Sequence, residues 1–125
     1  MPLHWTIDSR ERLLTVVAEG DVTRSGAEAF LDVLEGGFVA YRKLFDGTRG
    51  QTSMTGEDFM AIGARIRAGH LKGPVGALAV VLSQEQAKLV SRVLGIMATA
   101  RRPMRLFDEA EEEEARRWIV TQPHE

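Results

Sequence analysis

The chain alternates between short runs that favour β-strands and longer runs with the apolar spacing of helices. Residues Leu3–Ile7 and Arg12–Glu19 are rich in β-forming side chains, and the polar stretch 8–11 between them is compatible with a turn. We therefore predict an antiparallel hairpin at the start of the chain. The second strand carries apolar side chains on both faces, which favours a central position in a sheet covered on both sides.

Three more strands and four helices are predicted after the hairpin. In the first helix, Ala27, Phe30, Leu31 and Leu34 share one face with the i, i+3, i+4, i+7 spacing of an amphipathic helix. The predicted helices are Arg24–Glu35, Gly56–Gly69, Ser83–Ala100 and a terminal helix that begins after Asp108. The predicted strands are Arg42–Asp46, Gly76–Ser83 and Met104–Phe107. The nearly continuous apolar run of the strand Gly76–Ser83 is typical of a parallel strand buried on both faces.

The element order β-β-α-β-α-β-α-β-α predicts an α/β fold. Strand–helix–strand crossovers join parallel neighbours, so we expect one five-stranded mixed sheet, mostly parallel, with four helices packed on it. With 125 residues the chain fits a single domain. We place that domain at residues 1–120 and expect residues 121–125 to be frayed.

Composition excludes several classes of function. The net charge of −2 argues against a nucleic-acid-binding protein, because no positive field would attract phosphates. The absence of cysteine excludes disulfides, thiolate metal sites and a cysteine nucleophile, and the three scattered histidines have no metal-ligand spacing. We therefore expect no metal and no cofactor. The start of the chain has no signal-peptide pattern, and the longest apolar run, residues 77–82, is too short to cross a membrane, so we expect a cytoplasmic protein without membrane insertion.

Candidate ligand-binding or regulatory residues cluster in the stretch Arg42–Phe59. The segment Gly47–Gly50 is predicted to be a loop after a strand, and Thr55 stands three residues before Asp58, as in the capping box that opens a helix. Ligands of α/β folds commonly bind beyond the carboxyl ends of strands. The candidates at this end are Asp46, Thr48, Arg49, Ser53 and Thr55.

These candidates also have structural interpretations. Thr55 either caps its helix or carries a phosphate, which the positive end of the helix favours and the nearby Glu57 and Asp58 oppose. Asp46 either acts as a general base or anchors a turn by accepting backbone N–H groups. Arg49 either binds an anion or is solvated.

Two further features point to surfaces. If the end of the second helix lies near the last strand, a basic patch forms from Arg65, Arg67, His70, Lys72, Arg101, Arg102 and Arg105. In the third helix the apolar positions cover roughly 160° at ~100° per residue, wider than one core contact requires. This arc is either a broad packing face or a self-association seam, with Val90, Leu94 and Met97 as candidates.

Several segments resemble one known family. They are His4–Ile7, Gly20–Thr23, Tyr41–Asp46, Gly76–Val81 and Glu114–Ile119. Together with the element order they resemble the SpoIIAA-like family of small bacterial proteins, which are related to STAS domains and more distantly to CRAL-TRIO lipid-binding domains. The STAS resemblance implies a phosphorylatable serine at the start of the helix after the third strand. Here residues 52–56 keep a hydroxyl directly before a glycine but lack the Asp-Ser pair of the family motif.

The resemblance and the absence of a recognisable catalytic constellation predict a non-enzymatic regulatory or interaction module. Its expected partner is a protein, a small anionic ligand or a second copy of the chain in a homodimer. The CRAL-TRIO relationship implies a first alternative, a carrier of a small apolar or lipid-like ligand held between sheet and helices. A second alternative is a small enzyme that uses Asp46 with Thr48 or His70.

Overall fold

The five strands lie side by side in the order in which they occur along the chain, in a computed structural model that describes residues 2–124. Strand β1 (Leu3–Asp8) pairs antiparallel with β2 (Leu13–Asp21), which is parallel to β3 (Arg42–Gln51). Strands β4 (Leu78–Val81) and β5 (Met104–Phe107) continue the sheet in parallel. The predicted α/β class and the mixed, mostly parallel five-stranded sheet are confirmed.

Five helices and a short 3-10 turn occur among residues 2–124, where four helices were predicted. The helices are α1 (Arg24–Glu35), α2 (Gly56–His70), α3 (Gln84–Leu89), α4 (Ser91–Met97) and α5 (Glu112–Val120), and the 3-10 turn Glu109–Glu111 precedes α5. The predicted single helix Ser83–Ala100 is wrong, because the chain breaks at Val90 into α3 and α4. The break allows the two pieces to pack differently: α3 contacts β3, whereas α4 packs on α2.

The predicted helix starts are confirmed in atomic detail. Thr55, Ser83 and Asp108 each occupy an N-cap and form a capping box with the residue three positions later. In each box the cap side chain accepts a backbone N–H, and the later side chain accepts the N–H of the cap residue.

The helices cover the two faces of the sheet unequally. On one face only α5 packs, through Ala115 and Ile119, against Leu44, Val81 and Phe107. The other face holds α1 over β1 and β2, and α3 and α4 over β4. Helix α2 packs mainly on α1 and α4 and so bridges them above the middle of the sheet. This bridging position of α2 creates the site described below.

Strand β3 is longer than predicted, and the predicted loop Gly47–Gly50 is wrong. Between Val17 and Glu19 the pairing of β2 with β3 shifts register, so that one residue of β2 faces two of β3, as in a β-bulge. Gly47 is buried, and a Cβ added there would lie 2.6 Å from Cδ2 of Leu82. This glycine therefore serves close packing inside a strand, which the sequence does not distinguish from a turn.

Arg42 ties the end of α5 to the sheet. Its side chain is 2% exposed, and Nη1 donates to the carbonyls of Val120 at 3.0 Å and Gln122 at 3.2 Å, while Nη2 donates to the carbonyl of Glu11. The backbone just after α5 thus contacts the domain through residue 122. No helix among residues 2–124 has the length and hydropathy that crossing a bilayer requires.

Candidate functional site

A cavity of about 300 Å³ lies between the sheet and the bridging helix α2. Its floor consists of side chains that alternate onto this face of the strands, with Val16 on β2, Phe45 on β3 and Val80 on β4. Its roof and walls are apolar side chains of the helices: Ala27, Phe30, Leu31, Leu34, Phe59, Ile62, Ile66, Val90, Val93, Leu94 and Met97. A concave, apolar space with few polar groups is the usual form of a small-ligand site.

One end of the cavity contains a buried lysine. Lys43 points onto the cavity face of β3 two residues before Phe45 and is only 7% exposed. Its ammonium donates to the carbonyl of Val39 at 2.6 Å and to that of Tyr41 at 2.8 Å. Burial lowers the pKa of Lys43 to about 7, and the positive charge of Arg102 contributes to this shift as a smaller cause.

Two more basic side chains line the same end. Arg102 lies in the segment between α4 and β5, and its guanidinium donates to the carbonyls of Gly76 at 3.0 Å and Met97 at 3.2 Å. His70 is the last residue of α2. Burial lowers the pKa of Arg102 to about 10, and burial together with the charges of Arg102 and Lys43 lowers the pKa of His70.

Part of this basic end lacks hydrogen-bond partners. Nδ1 of His70 and Nε of Arg102 are both buried and make no hydrogen bond to another described residue. Within residues 2–124, neither Lys43 nor Arg102 forms an ion pair with a carboxylate. Such an arrangement favours an anion, because buried charges are normally paired.

The basic end adjoins a second depression of about 360 Å³ that reaches the surface. Arg67 and Arg101 line this depression and His70 lines both spaces. The end of α2 therefore lies near the segment that precedes the last strand, and the structure brings Arg67, His70, Arg101 and Arg102 of the predicted basic patch together. Two others lie elsewhere: Arg65 binds the α1 carboxylates Asp32 and Glu35, and Arg105 stacks at 4.7 Å over the ring of Phe107 on the face covered by α5.

The opposite end of the cavity is held by Gln86. Its side-chain amide donates to three carbonyls of the bulged part of β3, those of Gly47 at 2.9 Å, Thr48 at 3.2 Å and Gly50 at 3.0 Å. Gly47 and Thr48 lie at the bulge, between the paired residues Asp46 and Arg49, and Gln86 gives a hydrogen-bond donor to their carbonyls and to that of Gly50. The start of α3 is thereby fixed to the sheet.

The residues predicted from the sequence lie toward this end, with Asp46, Thr48 and Arg49 inside β3 and with Ser53 and Thr55 after it. Oδ1 of Asp46 accepts from the backbone N–H of Thr48 at 3.0 Å and from its hydroxyl at 2.7 Å. Asp46 alternates with Phe45 and so belongs to the face of the sheet that α5 covers. His70 and the basic end lie at the other end of the strands, where Lys43 pairs with the first residue of β4. The structure therefore brings Asp46 and Thr48 together but not His70.

Arg49, Ser53 and Thr55 are exposed and lie outside the cavity. Arg49 is 3.9 Å from the carboxylate of Glu19, and the backbone N–H of Ser53 donates to Asp21 at 3.2 Å. Oγ1 of Thr55 accepts from the N–H of Asp58 at 3.2 Å, and Oδ2 of Asp58 accepts from the N–H of Thr55 at 3.0 Å. The hydrogen bond from the backbone N–H of Thr55 to the carboxylate of Asp58 is the main cause of the lowered pKa of Asp58.

The self-association candidates face inward for the most part. Val90, Leu94 and Met97 are partly buried, line the cavity and pack against the cluster of Leu78, Val80 and Leu82. The most exposed large apolar side chain of this helix pair is Leu89, at 57%.

Sequence reasoning did not single out Lys43 as a site residue. The signal was present, because lysine is almost never fully buried unless it is paired, and Lys43 falls inside a predicted buried strand on the same face as Phe45. Arg102 was assigned to the end of a helix or to a surface patch. The two successive crossovers, from β3 to β4 and from β4 to β5, bring these two side chains to one cavity.

Comparisons with known proteins identify one family that matches most of the chain. The family model described as SpoIIAA-like matches residues 13–120, which include β2 through α5. Neither the curated proteins nor the solved structures gave a significant match. All residues of the cavity described above except Leu3 lie inside the matched range.

Proposed function

Since the chain belongs to the SpoIIAA-like family, which supports a regulatory or interaction module of STAS type in general terms, we propose that it is a non-enzymatic module whose ligand is a small apolar or lipid-like molecule. The ligand occupies the cavity between the sheet and α2. This assignment adopts the carrier alternative raised by the sequence. A protein partner then distinguishes the ligand-bound state of the module from its ligand-free state.

The observation that carries the proposal is the position of α2. This helix rests on α1 and α4 and leaves about 300 Å³ above Phe45 and Val80, within the size range of small-molecule sites. In a core that is packed only for stability, an apolar space of this size would cost stability, because its lining loses dispersion contacts. A ligand that fills the space restores them.

The geometry supports binding better than catalysis. An enzyme that uses Asp46 with Thr48 or His70 needs these groups to converge on one reacting atom. Asp46 instead accepts two hydrogen bonds from Thr48 on the face of the sheet opposite the cavity, and His70 lies at the other end of the strands.

Native mass spectrometry of the protein purified under mild conditions tests the proposal. We expect a non-covalent adduct in the parent protein and its loss in Val93→Phe, which fills the cavity from α4. The matched control is Arg92→Phe, which places the same side chain on the exposed side of the same helix. The absence of an adduct from all three proteins, together with no binding of added apolar probes, contradicts the proposal.

A second function, control by phosphorylation of Ser53 or Thr55, is favoured by the surroundings of these hydroxyls. Both residues are exposed near the start of α2, where free N–H groups and the helix dipole attract a phosphate. The guanidinium of Arg24 lies 3.6 Å from Asp58 and adds positive charge there. The capping box opposes this function, because a phosphate on Thr55 would break the box.

A further inference from the structure

The basic end of the cavity contains hydrogen-bond donors and charges that a purely apolar ligand would not use. An ammonium has three N–H groups, and Lys43 uses two on the carbonyls of Val39 and Tyr41, which leaves one donor. Nδ1 of His70 and Nε of Arg102 are buried without an acceptor or donor among the described residues. Buried polar groups are hydrogen-bonded in the great majority of cases, so incomplete pairing of three neighbouring side chains calls for an acceptor from the ligand.

The charges around the cavity agree with this requirement. The titratable side chains that line it are Glu35 on α1, Lys43 on β3, Arg65 and His70 on α2, and Arg102 before β5. Glu35 is the only carboxylate among them, and it is held by Arg65, whose Nε donates to it at 2.9 Å. Lys43 and Arg102 are thus left without a counter-ion among residues 2–124. Burying unpaired charge is costly, and an anion at this end would remove that cost.

From this geometry we infer that the ligand is an amphipathic anion, with a carboxylate head group at Lys43, His70 and Arg102 and a single apolar chain along Phe45 and Val80. The inference rests on the proposed function, because it names the chemistry of the ligand of the same cavity. A head group in this position accepts the free N–H of Lys43 and forms charge-assisted hydrogen bonds, which are stronger than neutral ones.

The volume of the cavity suits one short apolar chain, because about 300 Å³ lies at the lower end of the range of small-molecule sites. The adjoining depression with Arg67 and Arg101 gives such an anion a basic approach to His70. A medium-chain carboxylate therefore fits both the charge and the size of the site.

Calorimetric titration with decanoate and with decanol tests the inference, because the two probes share one chain and differ in head-group charge. We expect the parent protein to bind decanoate about tenfold or more tightly than decanol, since a charged hydrogen bond contributes more than a neutral one. Lys43→Met should abolish this preference while decanol still binds. The matched control is Lys88→Met, on the exposed side of α3, which should keep the preference. His70→Leu is a second variant, for which circular dichroism confirms folding, and it should reduce the preference.

The outcomes separate this inference from the proposed function. Equal affinities for decanoate and decanol would overturn the anionic head group and leave the apolar cavity in place. Binding of neither probe would overturn the proposed function itself. A preference for decanoate that survives in both Lys43→Met and His70→Leu would place the head group elsewhere and also overturn the inference.

Discussion

The guanidinium of Arg102 lies close enough to the ammonium of Lys43 that its charge lowers the pKa of the lysine. The two residues are far apart in the chain, one on β3 and one before β5, and parallel crossovers bring them to the same edge of the sheet. Backbone carbonyls hold both side chains in place, those of Val39 and Tyr41 for the lysine and Gly76 and Met97 for the arginine. The fold therefore fixes the positions of these two basic side chains beside each other.

Stability should rise with pH because of Lys43. Its pKa is about 7 in the folded protein and 10.5 in its unperturbed state. Between these values the unfolded chain binds more protons than the folded one, so the free energy of unfolding increases with pH through this window. The increase is at most about 1.4 kcal/mol per pH unit for one group.

Urea denaturation between pH 7 and pH 9 measures this effect. The parent protein should gain stability over this range, and Lys43→Met should lose that slope. Below pH 7 the lysine is protonated in both states and contributes no further change. The lowered pKa of His70 makes stability decrease as the pH falls through 6.5, and the Lys43→Met variant should keep most of this decrease, because burial is the main cause of the lowered pKa and the charge of Lys43 is the last of its three causes. A pH slope in the variant equal to that of the parent would show that the pKa of Lys43 is not lowered in the folded protein.

The face covered by α5 should depend on Leu44. This residue is 2% exposed and packs with Ala115, Ile119 and Phe107. We expect Leu44→Ala to reduce the free energy of unfolding by about 2–4 kcal/mol, the usual cost of a buried Leu-to-Ala change. Leu106→Ala, at a position 47% exposed, should cost less than about 0.5 kcal/mol. Similar losses in chemical denaturation of the two variants would contradict the assigned sheet faces.

The hydroxyl of Thr55 should act as a cap. We expect Thr55→Ala to cost about 1 kcal/mol and Thr55→Asp only a few tenths, because Asp accepts the same backbone N–H. The measurement is chemical denaturation of both variants, together with phosphosite mapping of the protein from its native host. A phosphate on Ser53 or Thr55 in the native protein, combined with altered partner binding by Thr55→Asp, would instead support the regulatory function.

Self-association through α3 and α4 remains a prediction, and light scattering tests it. Leu94 packs against the Leu78, Val80 and Leu82 cluster, so Leu94→Glu should lower stability as well as any tendency to dimerise. Leu89 lines the cavity but is 57% exposed, so Leu89→Glu should lower stability less than Leu94→Glu. A dimer in the parent that dissociates in Leu89→Glu with an unchanged circular dichroism spectrum supports the seam. A parent that is monomeric at high micromolar concentration removes it.

Much of the fold follows from local sequence signals. The strands of the hairpin, the bounds of α1 and the three capping boxes depend on neighbouring residues, which the sequence displays directly. The bulged end of β3 was missed because glycine serves both turns and close packing. At Gly47 the deciding contact is with Leu82, a residue that is distant in sequence.

The site was harder to predict for a similar reason. Candidates were sought beyond the carboxyl ends of the strands, whereas Asp46 and Thr48 meet inside the longer β3. The cavity instead depends on how far α2 stands from the sheet, which is set by its packing on α1 and α4. No periodicity in α2 encodes that distance, so the meeting of Lys43, His70 and Arg102 becomes visible only in three dimensions.

Methyl NMR during a titration with decanol tests the central claim most directly, because decanol probes the apolar cavity without involving charge. The account predicts shifts of the methyl signals of Ile62, Leu78 and Val80, which line the cavity, and unchanged signals for Leu44 and Ile119 on the face covered by α5. Shifts confined to exposed side chains away from the cavity, such as Leu106 and Val120, or no shifts at all, would contradict it.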